Sequence, residues 1–199
     1  MTTCFISCTG CSKSDVAPIQ NATTLTLTEQ EKSDLLFLRE EEKLARDIYL
    51  HAWEKYKHMT FDHISNSEQT HMDRALDLIH KYGLTDPAIS ERGVFNNPNL
   101  QVLYNQLLSK TNQSELDALI VGATIEDLDI NDIDKLLTHT SNPDLITVYS
   151  DLNCGSRNHM RAFSSQIETS GGSYTPQYVS PEKYKSIIEN EKENCGGGH

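Results

Sequence analysis

The sequence of 199 residues has few basic residues, no long apolar run and no dense set of cysteines. Seventeen Lys and Arg stand against 29 Asp and Glu, giving a formal net charge of -12, and no basic cluster offers a local exception. Because this charge repels a phosphate backbone, the composition argues against nucleic-acid binding and favours cations as partners. No uncharged stretch approaches the roughly 20 residues of a membrane-spanning helix, so no transmembrane span is predicted.

The five cysteines are placed in two groups, Cys4, Cys8 and Cys11, then Cys154 and Cys195. This spacing is not that of a small disulfide scaffold. The opening residues resemble the end of a bacterial lipoprotein signal, in which a small residue precedes the acylated Cys11. That resemblance predicts export, to the periplasm or to a membrane surface, with a lipid anchor at Cys11. The alternative is an unstructured cytoplasmic N-terminus that binds a metal through its cysteines. After export the two downstream cysteines could form a disulfide, and two free thiols are the alternative.

Helical periodicity and capping signals divide residues 27–172 into four long segments. The predicted helices run from Thr28 to about Lys57, from a cap at Thr60 to Gly83, from Ser114 to Thr138, and from Pro143 to Gly171. Short links make the first two helices antiparallel neighbours, and likewise the last two. Residues 84–113 form a long connection with a short helical pattern, which predicts a crossover between helices 2 and 3. The sequence therefore predicts an all-α protein: a signal-like N-terminus and tether over 1–26, a four-helix bundle over 27–172, and a tail over 173–199 with a short helix.

Each predicted apolar stripe contains polar residues of the types that bind metals: Glu42 in helix 1, Glu68 and His71 in helix 2, Glu126 in helix 3 and His159 in helix 4. Burying a carboxylate costs free energy unless it is neutralised, hydrogen-bonded or bound to a cation. The residues also match in depth, because Glu126 and His159 are equally far from the turn that joins their helices. The first pair of helices is offset by only about 3 Å at 1.5 Å per residue. Carboxylate oxygen with neutral imidazole suits iron, manganese or zinc, so a divalent metal centre is predicted.

Three motifs resemble those of the ferritin-like superfamily, and in detail those of rubrerythrin-type proteins. They are Glu42-Lys43-Leu44-Ala45-Arg46-Asp47-Ile48-Tyr49, Glu68-Gln69-Thr70-His71 and Gly122-Ala123-Thr124-Ile125-Glu126. More narrowly, residues 38–178 resemble an uncharacterised ferritin-like family of bacteria and archaea. The resemblance implies a ferritin-like bundle that holds one or two iron ions, with manganese or zinc as alternatives. Ser156 stands where the superfamily usually has a second carboxylate in its fourth helix, so five of six ligand positions are present. Asp129 is a candidate replacement.

The resemblance further implies a metal that reacts in its reduced state with oxygen or peroxide, as in a ferroxidase or peroxidase-type oxidoreductase. The chain has no pair of downstream Cys-x-x-Cys motifs, so peroxidase turnover would need an external reductant. A non-redox buffer or binding module for an ion such as zinc remains an alternative, and so does a metal-free structural bundle. The oligomeric state is left open, with a homodimer as one candidate.

Overall fold

The computed structural model describes residues 1–2 and 26–196. Within these residues there are six helices and no strand, which confirms the all-helical class. The helices are α1 (Glu29–Tyr56), α2 (Met59–Lys81), α3 (Pro98–Thr111), α4 (Glu115–Thr138), α5 (Pro143–Thr169) and α6 (Pro181–Glu189). None of the described helices is both long and apolar enough to cross a membrane. The predicted lipid anchor at Cys11 lies outside the described residues and stays a prediction.

Local sequence explains where the first two helices begin and end. Thr28 caps α1 through a capping box, in which its backbone amide donates to the Glu31 carboxylate at 2.8 Å. The prediction that Thr60 caps the second helix is wrong, because the Nδ1 atom of His58 accepts from the Thr60 amide and already serves as the cap. Lys57 ends α1 in the left-handed conformation, with φ of 56°. The chain therefore reverses between Tyr56 and Met59, and α2 returns along α1.

The four long helices pack in two pairs. The first pair is α1 with α2, the second is α4 with α5, and the pairs meet through contacts of α1 with α4 and of α2 with α5. Glu42 of α1 contacts His71 of α2, whereas Tyr49, further along α1, contacts Phe61, which lies earlier in α2. The first pair is therefore antiparallel. The long connection between α2 and α4 contains α3, which packs against α1 and α4, and α6 packs against α5.

Buried apolar side chains form two clusters with a polar layer between them. The first cluster includes Leu44, Ala45, Tyr49, Ile64, Met160 and Phe163. The second includes Leu35, Leu38, Ala75, Leu78, Ile133 and Leu152. Along α1, α2 and α5 the chain passes from one cluster to the other, and the four candidate metal ligands of these helices lie in the interval. Apolar packing therefore closes the polar layer on both sides, which lowers the local dielectric and strengthens electrostatic interactions there.

The C-terminal tail is fixed to the helices by a buried acid and by a disulfide. The carboxylate of Asp127 in α4 accepts hydrogen bonds from the Tyr174 hydroxyl and from the backbone amides of residues 177–179. Cys154 of α5 is joined to Cys195, with Cα atoms 5.7 Å apart. Of the two alternatives for these cysteines, the structure has the disulfide. The tail is thus held against both α4 and α5.

Candidate metal centre

The structure brings all five predicted ligands together in one buried centre between the four long helices. Four of them, Glu42, Glu68, His71 and Glu126, are 0% exposed, and His159 is 7% exposed. Each of the four helices contributes at least one of these candidate ligands, as the apolar stripes predict. Their role in holding a metal stays a prediction, but their convergence in one place is a property of the fold.

The five side chains form two groups of three that share Glu68. In each group the ligand atoms lie within 4.8 Å of one another. The Nδ1 atom of His71 is 2.9 Å from Oε2 of Glu68 and 3.2 Å from Oε2 of Glu42. The Nδ1 atom of His159 is 2.8 Å from Oε1 of Glu68 and 3.4 Å from Oε2 of Glu126. Glu68 therefore offers one oxygen to each group, and the two imidazole rings stack with centroids 5.5 Å apart.

Burial and mutual contact shift the pKa values of these groups in opposite directions. Burial raises the pKa of Glu42 to about 8, Glu68 acts in the same direction, and His71 opposes the shift. Burial would also raise the pKa of Glu68, but the imidazoles of His159 and His71 lower it overall. Burial lowers the pKa of His159, yet the carboxylates of Glu68 and Glu126 raise it to about 9. Near neutral pH, protons on Glu42 and His159 therefore balance negative charge that a bound cation would otherwise balance.

Tyr49 fixes the orientation of one ligand. Its hydroxyl donates to Oε1 of Glu126 at 2.6 Å, so the other oxygen of Glu126 is left facing the centre. Burial raises the pKa of Tyr49 well above its usual value, and Glu126 acts in the same direction, so the phenol keeps its proton and remains a donor. The ring of Phe163 packs on the ring of Tyr49, with the two ring centroids 5.2 Å apart. Gly122 allows this approach, because a Cβ atom there would lie 2.4 Å from Phe163.

The described structure places no carboxylate at the sixth ligand position that the resemblance to ferritin-like proteins implies. The hydroxyl of Ser156 donates to the carbonyl of Leu152 in its own helix at 3.1 Å. Asp129, the candidate replacement, is buried but belongs to neither group of three among the described residues. Burial raises the pKa of Asp129 well above its usual value, and so do Glu41 and Glu42. The centre therefore has a single carboxylate, that of Glu68, shared by the two groups of three, and no second shared carboxylate among the described residues.

Sequence reasoning missed two residues that lie beside the centre. Glu41 is 1% exposed and electrostatically coupled to Asp129, but it belongs to a run of three consecutive acids in which periodicity selects only Glu42. The Oγ atom of Ser67 lies 3.0 Å from Nε2 of His159. The His159 ring thus has the carboxylates at its Nδ1 atom and Ser67 at its Nε2 atom. The only sequence signal that places Ser67 beside the centre is its position next to Glu68, and this signal is weak.

Comparison with known proteins gives a consistent family and no established activity. Residues 31–191 match the family described as "Uncharacterized protein domain (DUF2202)". The chain is 50% identical over 168 residues to "Uncharacterized protein MJ0754" of Methanocaldococcus jannaschii, covering 84% of this chain and 91% of that protein. It is also similar to the crystal structure of hypothetical protein MJ0754 from Methanococcus jannaschii DSM 2661, with a TM-score of 0.84 and 49% identity. That match covers 85% of this chain and 98% of the other. The chain belongs to the DUF2202 family.

Proposed function

We propose that this protein is a ferritin-like four-helix bundle that binds one or two metal ions, iron in the first place, and reacts with oxygen or peroxide when the metal is reduced. The observation that carries this proposal is the pair of buried three-ligand groups that share Glu68. Two helix pairs with a long connection between α2 and α4 support the ferritin-like assignment, because one long crossover is typical of that architecture.

The residues present fit a divalent metal ion. Three fully buried carboxylates and two imidazoles lie in a layer that apolar packing closes on both sides. Burying such groups costs free energy that a cation would offset, and carboxylate with imidazole suits iron, manganese and zinc. Glu42 and His71 would hold one ion and Glu126 and His159 another, with Glu68 common to both. Ferrous iron held by these residues would supply the electrons that reduce the oxidant.

The protein's own residues would position these ligands and exclude water from them. The Tyr49 phenol orients Glu126, and the ring of Phe163 covers Tyr49 on the side of the first apolar cluster. Ser67 holds the outer nitrogen of His159, so the inner nitrogen faces the carboxylates. Partners of this kind fix the orientation of a metal-binding side chain.

A metal-free structural bundle is the second candidate, and the ion pairs of Glu68 favour it. The Nδ1 atoms of His71 and His159 lie 2.9 Å and 2.8 Å from oxygens of the Glu68 carboxylate. When protonated, these imidazoles can themselves neutralise the shared carboxylate. In that case chelators leave the melting temperature unchanged. If a metal is bound, stripping it lowers the melting temperature, because a ligand that binds only the folded state stabilises that state.

Anaerobic titration with ferrous iron tests the proposed function. We expect saturation at one or two ions per chain, followed by a change in the near-ultraviolet absorbance when peroxide or oxygen is added. Glu168→Gln, which replaces an exposed carboxylate of α5 with an amide, is a control that should behave as the unsubstituted protein does. Absence of both binding and a spectral change contradicts the proposal. Stable binding of zinc without any loading of iron would instead support a non-redox buffer or binding module.

Metal binding is expected to release protons and to strengthen as the pH rises. Glu42, with a pKa of about 8, and His159, with a pKa of about 9, both carry protons at neutral pH. Because metal ligands must be deprotonated, raising the pH from about 6 to about 8 removes competing protons and increases affinity, and lowering it does the reverse. Calorimetry with Zn²⁺ in buffers of different ionisation enthalpy measures the release directly. An affinity independent of pH over this range would show that these residues are not the ligands.

A further inference from the structure

A pocket of about 540 Å³ lies beside the candidate metal centre, between α2, α5 and the C-terminal segment around the end of α6. Its lining includes His159 and Ser67. The side chain of His159 is the only one of the five candidate ligands with appreciable exposure, and its Nε2 atom contacts Ser67 on the pocket side. A single imidazole ring therefore separates the pocket from the buried carboxylates.

The pocket is lined by both apolar and cationic residues. Ile64, Ala162 and Ile188 supply apolar surface, and Lys192 and Arg161 supply positive charge. The Lys192 side chain is exposed and takes part in no ion pair or hydrogen bond within the described part of the chain. No Asp or Glu is among the lining residues, although the chain as a whole has a net charge of -12.

The positive charge of Arg161 is only partly neutralised by its neighbours. Glu193 accepts from Nη2 of Arg161 at 2.7 Å and from Nε of Arg157 at 2.8 Å. Two guanidinium groups thus share one carboxylate, and the three side chains together keep a net positive charge. Because Lys192 also lines the pocket and adds a second positive charge, this wall of the pocket is expected to attract anions.

We propose that this pocket binds a small organic anion, with its carboxylate toward Lys192 and Arg161 and its apolar body against Ile64, Ala162 and Ile188. The volume lies within the range of roughly 300 to 1,000 Å³ that is usual for small-molecule sites, and apolar walls with a few polar groups are their usual chemistry. The occupant would lie against the outer edge of His159. Binding here goes beyond the proposed function and does not require a metal, since every lining group belongs to the chain itself.

Binding of hexanoate to the metal-free protein tests this site, with hexylammonium as the matched probe of opposite charge and similar apolar body. Saturation-transfer NMR and calorimetry should show saturable binding of hexanoate and at least about tenfold weaker binding of hexylammonium, because like charges across an interface repel. Equal or stronger binding of hexylammonium overturns the proposal. Repeating the titration after metal loading separates the two proposals, since hexanoate binds whether or not the iron titration succeeds.

Three substitutions locate the binding site. Ala162→Phe fills the pocket and should abolish hexanoate binding, whereas Lys192→Gln should weaken it by about two- to fivefold, the range of an exposed ion pair. Lys185→Gln is the matched control, because Lys185 is an exposed lysine of α6 outside the pocket, and it should leave the affinity unchanged. Unchanged binding in an Ala162→Phe protein with normal thermal unfolding overturns the proposal. If that variant does not fold, equal affinities of the two lysine variants overturn it instead.

Discussion

Glu68→Gln is expected to remove metal binding from the whole centre. The carboxylate of Glu68 lies within reach of both histidines, at 2.9 Å from His71 and 2.8 Å from His159, and it belongs to both groups of three. Changing a group that merely orients a ligand costs about 10- to 100-fold in metal affinity, so loss of a shared ligand should cost more than about 100-fold. Anaerobic titration with ferrous iron should show no saturable binding at the iron concentrations that saturate the unsubstituted protein.

The same substitution should also destabilise the metal-free protein. Glu68 is ionised between two buried imidazoles, which lower its pKa although burial acts against them. A neutral amide would leave the protonated His71 and His159 without their carboxylate. Breaking a buried ion pair in this way costs about 3–5 kcal/mol, which urea unfolding can measure. A loss of metal binding therefore has to be separated from a loss of folded protein.

Glu42→Gln provides that separation. Glu42 has a pKa of about 8, so at neutral pH its side chain is mostly uncharged and an amide of the same shape replaces it with little change. We expect the unfolding free energy to change by less than about 1.4 kcal/mol, the value of one pKa unit. Metal binding at the group of Glu42 and His71 should nevertheless be weakened, while the group of Glu126 and His159 remains. Iron binding of unchanged stoichiometry and affinity in both variants would contradict the assignment of these ligands.

Periodicity predicts the ligands of the centre because each long helix has one face toward the others. Glu42 lies four residues after Leu38 and three before Ala45, so it has to share their inward face. Equal distance from a turn then places Glu126 level with His159, and their side chains lie 3.4 Å apart. Helix geometry and the pairing of neighbouring helices are sufficient for these positions, and no knowledge of the connecting segments is needed.

Periodicity fails where a connecting segment covers the outer face of a helix. The consecutive acids Glu40, Glu41 and Glu42 are all buried, although a helix turns its side chains by about 100° per residue. Glu40 accepts hydrogen bonds from the amides of Asn96 and Asn97, which belong to the long connection after α2. The path of that connection depends on contacts between distant residues, so the burial of Glu40 could not be read from the pattern of α1.

The pairing of Cys154 with Cys195 also depends on such distant contacts. The two residues are separated by 41 positions, and a disulfide needs their Cα atoms to come within about 7 Å. Asp127 holds the tail on α4, and Glu193 binds Arg157 and Arg161 of α5. These contacts bring the end of the chain back to α5. Spacing alone leaves the disulfide and the free thiols as open alternatives, because none of these contacts repeats with a helical period.

Reduction of the Cys154–Cys195 disulfide is expected to lower the free energy of unfolding by up to about 4 kcal/mol. A cross-link that closes a loop of this length restricts the unfolded chain, and its removal restores that freedom. The value is an upper figure, because residual structure in the unfolded chain limits the freedom that reduction restores. At about 2–4 °C per kcal/mol for a chain of this size, the melting temperature should fall by roughly 10 °C, as thermal unfolding with and without reductant would show.

The double variant Cys154→Ser/Cys195→Ser is the control for this experiment, because it keeps the three N-terminal cysteines and removes only the cross-linked pair. Its melting temperature should equal that of the reduced wild-type protein and should not respond to reductant. Hydrogen exchange should become faster in the segment after α6, whereas the amides of α1 and α2 keep their protection. A reductant effect of equal size in both proteins would show that stabilisation comes from other cysteines. No effect in either would mean that the contacts of Glu193 and Asp127 alone hold the tail.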